Sequence, residues 1–206
     1  MHVEVTHPCV QHKLALIRDE ETGHKKFREL ATEITMFVCY EALKGVQLKE
    51  VQVQTPVGPA SCRKIASDLV VIPILRAGVG MMDGILDLIP TARVGFVGLY
   101  RDEETKIPVE YYQKLPVESE NALYIVVDPM LATGGSMVAT LDMLKQKGVD
   151  NIVVVCIVAA PEGLQAVEQA HPDVSVYTAA VDSHLNDHKY IVPGLGDAGD
   201  RLFGTR

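Results

Sequence analysis

The sequence has no tryptophan, few other aromatic residues and only four cysteines among its 206 residues. The cysteines are far apart and form no C-x-x-C pair, so the sequence contains no redox or metal-binding motif of that kind. We expect them to be reduced thiols in the hydrophobic core of a cytosolic protein. They are Cys9, Cys39, Cys62 and Cys156. The longest apolar run, 152–161, is far shorter than the ~20 residues that cross a bilayer. Because the N-terminus also lacks a signal-peptide profile, we predict a cytoplasmic protein that does not enter membranes.

An excess of positive charge is also missing. Nineteen basic residues stand against 27 acidic ones, which gives a formal net charge of −8. This balance opposes general attraction to nucleic acids or anionic membranes, so any anionic ligand must be bound by local cations. A length of 206 residues with 48% hydrophobic residues suffices for one well-packed domain.

Apolar runs alternate with helical patterns from residue 68 onward, which predicts an α/β fold with a mostly parallel sheet flanked by helices. The predicted strands are 69–75, 94–100, 123–127, 152–160 and 174–181, and the predicted helices are 79–89, 136–147 and 161–170. An amphipathic helix is expected near 25–44, followed by an edge strand or hairpin around Val51 and Val53. Ligands of such sheets bind beyond the carboxyl ends of the strands, at a switch point in strand order.

The segment 128–136 lies where the predicted strand 123–127 gives way to a helix. The first backbone N–H groups of a helix lack partners within it, and the positive end of the helix dipole favours a phosphate at this point. Two glycines allow close backbone approach, and Thr133 and Ser136 add hydroxyl donors. The predicted ligand contacts are Asp128, Pro129, Met130, Leu131, Ala132, Thr133, Gly134, Gly135 and Ser136. Asp128 would repel a phosphate, so its position suggests that the ligand also carries hydroxyl groups or a cation, as a sugar phosphate does.

This loop has two other interpretations, a Walker A loop and an ordinary turn. A Walker A loop requires a lysine after its second glycine, and Gly135-Ser136-Met137 contains none, so ATP bound in that manner is excluded. An ordinary glycine-containing turn with an aspartate at the end of a strand remains the alternative.

Arginines follow two other predicted strands. Arg76 comes after 69–75 and precedes glycines, and Arg101 ends the run 94–100. The planar fork of donors on an arginine matches phosphate oxygens, so both residues are candidates to hold a second, more highly charged anion. Surface arginines paired with neighbours such as Asp102 are the alternative.

The C-terminal segment contains a literal G-x-G-x-x-G from Gly194 to Gly199. A dinucleotide fingerprint requires a preceding strand and a long following helix, for which too few residues remain, so we predict a loop along a small planar ligand instead. His184 and His188 have the spacing of a helical zinc pair, but no acidic third ligand is evident and the residues between them favour a turn.

These segments, in this order, resemble the uracil phosphoribosyltransferases of the type I phosphoribosyltransferase fold. The similarity covers nearly the whole chain and includes HPCVQHKL at 7–14, PILRAGVGMMDG at 73–84, LYRDEET at 99–105, DPMLATGGS at 128–136, AAPEG at 159–163 and YIVPGLGDAGDRLFGT at 190–205. The 128–136 loop is typical of phosphoribosyltransferases, and the tail is typical of the uracil enzymes. Pro129 stands where most type I relatives have a second acid, which leaves direct metal ligands unassigned.

The resemblance implies the reaction of uracil with 5-phosphoribosyl 1-diphosphate (PRPP) to give UMP and diphosphate, with Mg²⁺ carried on the diphosphate. It implies that Arg76, Arg101 and Asp128 are catalytic and that they bind PRPP together with residues 128–136 and Asp197. It also implies uracil contacts from Ile191, Gly196, Asp197 and Ala198. The residues at 106–113 are expected to form a loop that closes over the diphosphate.

The resemblance further implies a single domain over 1–206, with a core at about 66–181, an N-terminal helical segment at about 7–46 and a C-terminal uracil-binding segment at 182–206. A small β and loop appendage would form a hood over the base. A homo-oligomer is implied, and activation by GTP, known for some relatives, is left open.

Three other functions compete with this one. A non-catalytic nucleotide sensor or RNA-binding regulator could keep the fold, but the basic residues are scattered. A flavodoxin-like FMN protein gives no reason for two arginines at strand ends. A phosphoribosyltransferase for another base conflicts with the C-terminal tail.

Overall fold

The computed structural model describes residues 1–101, 108–117 and 121–205. The strands are β1 (His2–Glu4), β2 (Leu48–Gln54), β3 (Pro59–Ile65), β4 (Leu69–Leu75), β5 (Arg93–Val94), β6 (Phe96–Arg101), β7 (Pro108–Lys114), β8 (Leu123–Val127), β9 (Met130–Leu131), β10 (Ile152–Ala159), β11 (Ser175–Val181), β12 (His184–Leu185) and β13 (Ile191–Val192). The helices are α1 (Pro8–Arg18), α2 (His24–Ala42), α3 (Val79–Leu88), α4 (Gly135–Gln146), α5 (Pro161–Ala170) and α6 (Ala198–Phe203), and a 3₁₀ turn spans Leu43–Gly45.

The main sheet has the order β1-β11-β10-β8-β4-β6-β7, with β5 and β9 as short additions, and every described pair except β6 with β7 is parallel. The central strands β4 and β8 are almost entirely buried, as expected for aliphatic strands covered on both faces. From β4 the chain moves to β6 on one side and then returns to β8 on the other. This reversal places a crevice at the carboxyl ends of β4 and β8.

Helices cover both faces of the sheet and form two cores. On one face, α1, α2, α3 and α6 bury Phe27, Ile34 and Leu202 against Val71 and Ile125. On the other face, α4 and α5 bury a second set of aliphatic side chains, including Leu141, Leu144, Val126, Val154 and Val167. The N-terminal strand β1 extends the sheet at β11, and the C-terminal helix packs near α2, so both ends of the described chain join the core.

The predicted α/β class is confirmed, and the predicted core helices and strands occur within one or two residues of the observed bounds. The predicted strand at 94–100 is divided, because β5 ends at Val94 and β6 begins at Phe96. The region near Val51 forms the antiparallel hairpin β2–β3, and a second small hairpin, β12–β13, lies within the C-terminal segment 182–206.

Two expectations are wrong. Residues 108–113 do not form a loop: they belong to β7, whose backbone pairs antiparallel with β6, while residues 106 and 107 lie outside the described residues. The four cysteines are free, but only Cys39 and Cys156 are buried; Cys9 and Cys62 are exposed, on the first turn of α1 and on the solvent-facing hairpin. None of the described helices combines the length and apolar character needed to cross a bilayer.

Candidate active site

The loop after β8 is tied into the sheet before it reaches the helix. The carbonyl of Pro129 accepts hydrogen bonds from the N–H groups of Ile157 and Val158, both at 3.1 Å, and that of Leu131 accepts one from Ala160 at 2.9 Å. Met130 and Leu131 also pair with β10 as the short strand β9. The first half of the predicted phosphate loop is therefore fixed to the main sheet by backbone hydrogen bonds.

The second half of the loop forms the N-terminus of α4. Gly134 is the N-cap, with φ of +82°, a left-handed conformation that glycine adopts without a Cβ clash. Having no side chain, it supplies no capping acceptor. The Gly135 N–H makes a long hydrogen bond of 3.5 Å to the Thr133 hydroxyl, and the other N–H groups of the first turn and the positive end of the helix dipole remain for a ligand. Thr133, Gly135 and Ser136 are partly exposed around this point. The geometry suits a phosphate monoester.

Helix α5 supports the phosphate loop from behind through small residues. A Cβ at Gly163 would lie 2.5 Å from the carbonyl oxygen of Ala132 and 2.6 Å from that of Leu131. A Cβ at Gly134 would lie 2.7 Å from the Cβ of Ala166 and 3.1 Å from the carbonyl oxygen of Gly163. Because these contacts are with backbone and with a short side chain, no neighbour could move aside at low cost. The loop and α5 thus define each other's positions.

Asp128 follows the last residue of β8, at the floor of the crevice. Burial raises the pKa of its carboxyl group from 3.8 to about 7, although a hydrogen bond from the N–H of Met130 acts in the opposite direction. The residue retains some exposure at the surface. The carboxyl group is therefore set deep in protein but open on one side, so a ligand that donates hydrogen bonds or carries positive charge would stabilise its ionised form.

The buried thiols of Cys39 and Cys156 have low nucleophilic reactivity. Burial raises the pKa of Cys156 to about 12, and the nearby Asp128 carboxylate adds to the effect. Burial likewise raises the pKa of Cys39 to about 12. Both thiols remain protonated at neutral pH, which makes them poor nucleophiles.

The turn after β4 packs directly against the end of β8. A Cβ at Gly78 would lie 2.5 Å from the carbonyl oxygen of Val127 and 2.6 Å from the backbone nitrogen of Ile74, so only glycine fits. The Gly78 N–H donates to the Ile74 carbonyl at 2.9 Å, which tightens the turn. The peptide bond between Leu75 and Arg76 is cis, and Arg76 is exposed. Arg76 thus follows β4, the neighbour of β8, just as Asp128 follows β8.

The C-terminal segment lies against the same turn. The Nη2 atom of Arg76 is 4.0 Å from the position of a Cβ at Gly199, and Ala77 is equally close. Leu202 of α6 packs against Gly80 at the start of α3. Because this packing places the start of α6 next to Arg76, the predicted uracil-binding residues meet the predicted phosphoribosyl-binding residues at one edge of the sheet.

Within this segment the predicted contacts differ in exposure. Gly196 and Asp197 are exposed, whereas Ile191 and Ala198 are buried and can offer only backbone groups to a ligand. Gly196 has φ of +70°, and among the described residues only Cδ of Arg201 lies within 4 Å of its missing Cβ, at 3.8 Å. The Asp197 carboxylate accepts a hydrogen bond from the Asp200 N–H at 2.9 Å and caps α6.

The remaining predicted residues have different outcomes. Arg101 is the last residue of β6, beside β4, and its side chain lies outside what the structure describes.

His184 lies on β12 and His188 in the following turn, so they do not form a helical zinc pair. Among the described residues, no group of three or more His, Cys, Asp and Glu side chains could hold a metal ion. The literal G-x-G-x-x-G is followed by only the six-residue α6, as expected for a segment that is not a dinucleotide site.

Sequence reasoning missed a set of polar residues behind the C-terminal segment. Asp182 follows β11 just as Asp128 follows β8, which is a signal that could have identified it. Arg18 pairs with Asp182 and donates to the Gly194 carbonyl, Arg201 donates to the carbonyls of Leu195 and Asp19, and Glu162 at the start of α5 accepts a hydrogen bond from the Leu185 N–H at 3.0 Å. The partners of Arg18, and Asp19 as a partner of Arg201, are too distant in sequence for local patterns to reveal them.

The architecture is that of the type I phosphoribosyltransferases. A hypoxanthine phosphoribosyltransferase from Trypanosoma cruzi superimposes with a TM-score of 0.51 over 79% of this chain and 77% of the other at 14% identity, which reflects the shared fold. The AQ2163 protein from Aquifex aeolicus matches far more fully, with a TM-score of 0.94 and 39% identity over 98% of each chain.

Sequence comparison narrows the class to one family. The family model for uracil phosphoribosyltransferase matches residues 4–205. A uracil phosphoribosyltransferase from Symbiobacterium thermophilum is 58% identical over 99% of this chain and 98% of its own length, and one from Geobacillus kaustophilus is 59% identical over 97% and 96%. The chain belongs to the uracil phosphoribosyltransferase family.

Proposed function

We propose that this protein transfers the phosphoribosyl group of PRPP to uracil, giving UMP and diphosphate. The observation that carries the proposal is the meeting of three parts at the carboxyl edge of the sheet: the N-terminus of α4, the Asp128 carboxyl group, and the C-terminal segment beside Arg76. Full-length similarity to uracil phosphoribosyltransferases supports the choice of base.

The phosphate loop fixes one end of PRPP. The backbone of Met130 to Ser136 holds the 5′-phosphate at the start of α4, where the helix dipole and N–H groups favour it. Because the loop is held by β10 and α5, the ribose is oriented with C1′ towards the C-terminal segment, and this positioning lowers the entropic part of the barrier.

Charge placement assists the transfer. As the bond from C1′ to the diphosphate oxygen breaks, uracil N1 bonds to C1′ and gives up its proton to the departing diphosphate or to water, while positive charge develops on the ribose and negative charge on the leaving group. Asp128 contacts the ribose hydroxyl groups and stabilises the positive charge. Arg76 and Arg101 contact the diphosphate, to which Mg²⁺ is bound when PRPP enters. Asp197 contributes a further contact to PRPP.

The C-terminal segment selects the base through its backbone. Ile191, Gly196 and Ala198 present carbonyl and N–H groups to the edge of uracil, where a carbonyl accepts N3–H and an N–H donates to O4. Cytosine reverses both features and would leave buried groups unpaired, which can lower the specificity constant by about 10⁴-fold.

The direct test is chromatographic detection of UMP from purified protein, PRPP and Mg²⁺, with uracil, cytosine and hypoxanthine supplied separately. We expect product from uracil alone. Product from another base would overturn the assigned specificity. Absence of product from every base, with and without GTP, accompanied by retained binding of UMP, would instead favour the nucleotide-sensing regulator. Sedimentation of the same preparation tests the expected homo-oligomer.

A further inference from the structure

An ion pair from the N-terminal helix holds the base-binding segment. The Arg18 Nη2 and Nη1 atoms lie 2.6 and 2.8 Å from Oδ1 and Oδ2 of Asp182, a bidentate geometry across 164 residues of sequence. The Asp182 side chain is only 4% exposed, whereas that of Arg18 is 24% exposed. A paired carboxylate at this depth depends on its partner, because removing the arginine would leave a buried charge uncompensated.

The same ion pair forms hydrogen bonds with both the carbonyl and the N–H of one residue in the C-terminal loop, Gly194. Arg18 Nη1 donates to the Gly194 carbonyl at 2.9 Å, and the Gly194 N–H donates to Asp182 Oδ2 at 2.8 Å. Gly194 is buried with φ of +63°, and a Cβ there would collide with the carbonyl of Ile191. The ion pair therefore fixes the course of the backbone between Ile191 and Gly196, two of the proposed uracil contacts.

A second arginine, Arg201, holds the residue that follows Gly194. Arg201 Nη1 donates to the Leu195 carbonyl at 3.0 Å, and its other nitrogen donates to the Asp19 carbonyl at the end of α1. The guanidinium carbon of Arg201 lies 4.4 Å from the centre of the Phe27 ring. Two consecutive carbonyls of the loop are thus held by arginines, and both arginines contact the C-terminal end of α1 or belong to it.

We propose that Arg18 and Asp182 are positioning residues for the base, so that the end of α1 determines uracil affinity without contacting uracil. This inference rests on the proposed function, and it assigns to the N-terminal helix a role in one substrate site only. The phosphate loop is held by β10 and α5, and the described contacts of Arg18 do not include them. Loss of the ion pair should therefore weaken uracil binding and leave PRPP binding intact.

The test compares Arg18→Met with Lys13→Met. Lys13 lies on the same helix, its side chain is 23% exposed, and it pairs with Glu33 at 2.6 Å away from the C-terminal loop. We expect Arg18→Met to raise the KM for uracil by about 10- to 100-fold, since small displacements of positioning groups have effects of this size. The Kd for PRPP, measured by calorimetry, should stay within about two-fold of wild type, the scatter of such comparisons. Lys13→Met should leave both constants unchanged.

Two milder variants extend the test in case Arg18→Met does not fold. Arg18→Lys keeps the charge, but one ammonium group cannot reproduce the planar bidentate pair and the bond to Gly194, so an intermediate rise in KM is expected. Asp182→Asn keeps an acceptor for the Gly194 N–H and should also give an intermediate rise. A lower melting temperature with unchanged KM for uracil, or a proportional loss of affinity for both substrates, would overturn the inference. A wild-type protein that forms no UMP would overturn the proposed function itself.

Discussion

The phosphate loop and the C-terminal segment are built in opposite ways. Pro129 and Leu131 are held by backbone hydrogen bonds to neighbouring sheet residues, and Gly134 fits against α5 without room for a side chain. Gly194 and Leu195, in contrast, are held by charged side chains, of which Arg18 belongs to the N-terminal helix and Asp182 and Arg201 to the C-terminal part of the chain. The first region is held by backbone hydrogen bonds and by glycines that leave no room for a side chain. The second uses particular residue pairs, which allows base recognition to change while the phosphate site is kept.

A side chain at Gly134 should have the largest effect. Gly134→Val would combine an unfavourable φ of +82° with contacts to Ala166 and Gly163, and the loop would have to move. We expect kcat/KM for PRPP to fall by about 100- to 1,000-fold, measured by steady-state kinetics. Gly148→Val is the matched control, because Gly148 has φ of +81° but no atom of the described part of the chain lies within 4 Å of its missing Cβ. It should reduce stability and leave kinetics unchanged; equal kinetic losses in both variants would show that steric fit at the loop is unimportant.

The Asp128→Asn variant should have the next largest effect. Loss of the carboxylate that faces the ribose should lower kcat by about 100-fold, while PRPP still binds through its phosphates. A kcat within a few-fold of wild type would contradict the assigned role. In the wild type, activity should fall as the pH decreases below about 7, where this carboxyl group takes up a proton in the free protein.

Stability should change in the opposite direction. The pKa of Asp128 is about 7 in the folded protein against an ordinary 3.8, so the folded state binds the proton more tightly than the unfolded chain does. The wild type without ligand should therefore lose stability as pH rises from 3.8 to 7, and Asp128→Asn should not show this contribution. At pH 8 the variant should be more stable by an amount on the order of 4 kcal/mol, a difference that disappears below pH 3.8. Urea unfolding at both pH values measures it.

The smallest effect on kinetics is expected for a variant at Glu162, which links the helix behind the phosphate loop to the C-terminal segment. The Glu162 carboxylate accepts the Leu185 N–H at 3.0 Å, which lowers its pKa and links α5 to the β12–β13 hairpin. Glu162→Ala should raise the KM for uracil by about two- to five-fold, as expected for loss of one exposed hydrogen bond. Glu168→Ala, on the same helix and exposed, is the control. A larger rise in the KM for PRPP than in that for uracil would contradict this link.

The sequence predicted the core well because its signals are local. Uninterrupted aliphatic runs marked β4, β8 and β10, and the change from strand to helix period located the loop at 128–136. The strand 108–114 was missed because polar and tyrosine residues at a sheet edge resemble a loop when their partner strand is unknown. The pairing of Arg18 with Asp182 could not be predicted, since no periodicity connects residues 164 positions apart. The roles assigned to individual site residues stay predictions until the variants are measured.

The separation between α1 and its partners has a consequence for synthesis of the protein. Arg18 is translated 176 positions before Gly194, and Arg201 follows Gly194. The central strands and the phosphate loop can therefore assemble on a nascent chain before the arginine of α1 finds its partners. The base site is completed only after Gly194 and Arg201 have been added, so a chain truncated before Gly194 would keep a formed phosphate loop but would be unable to recognise uracil.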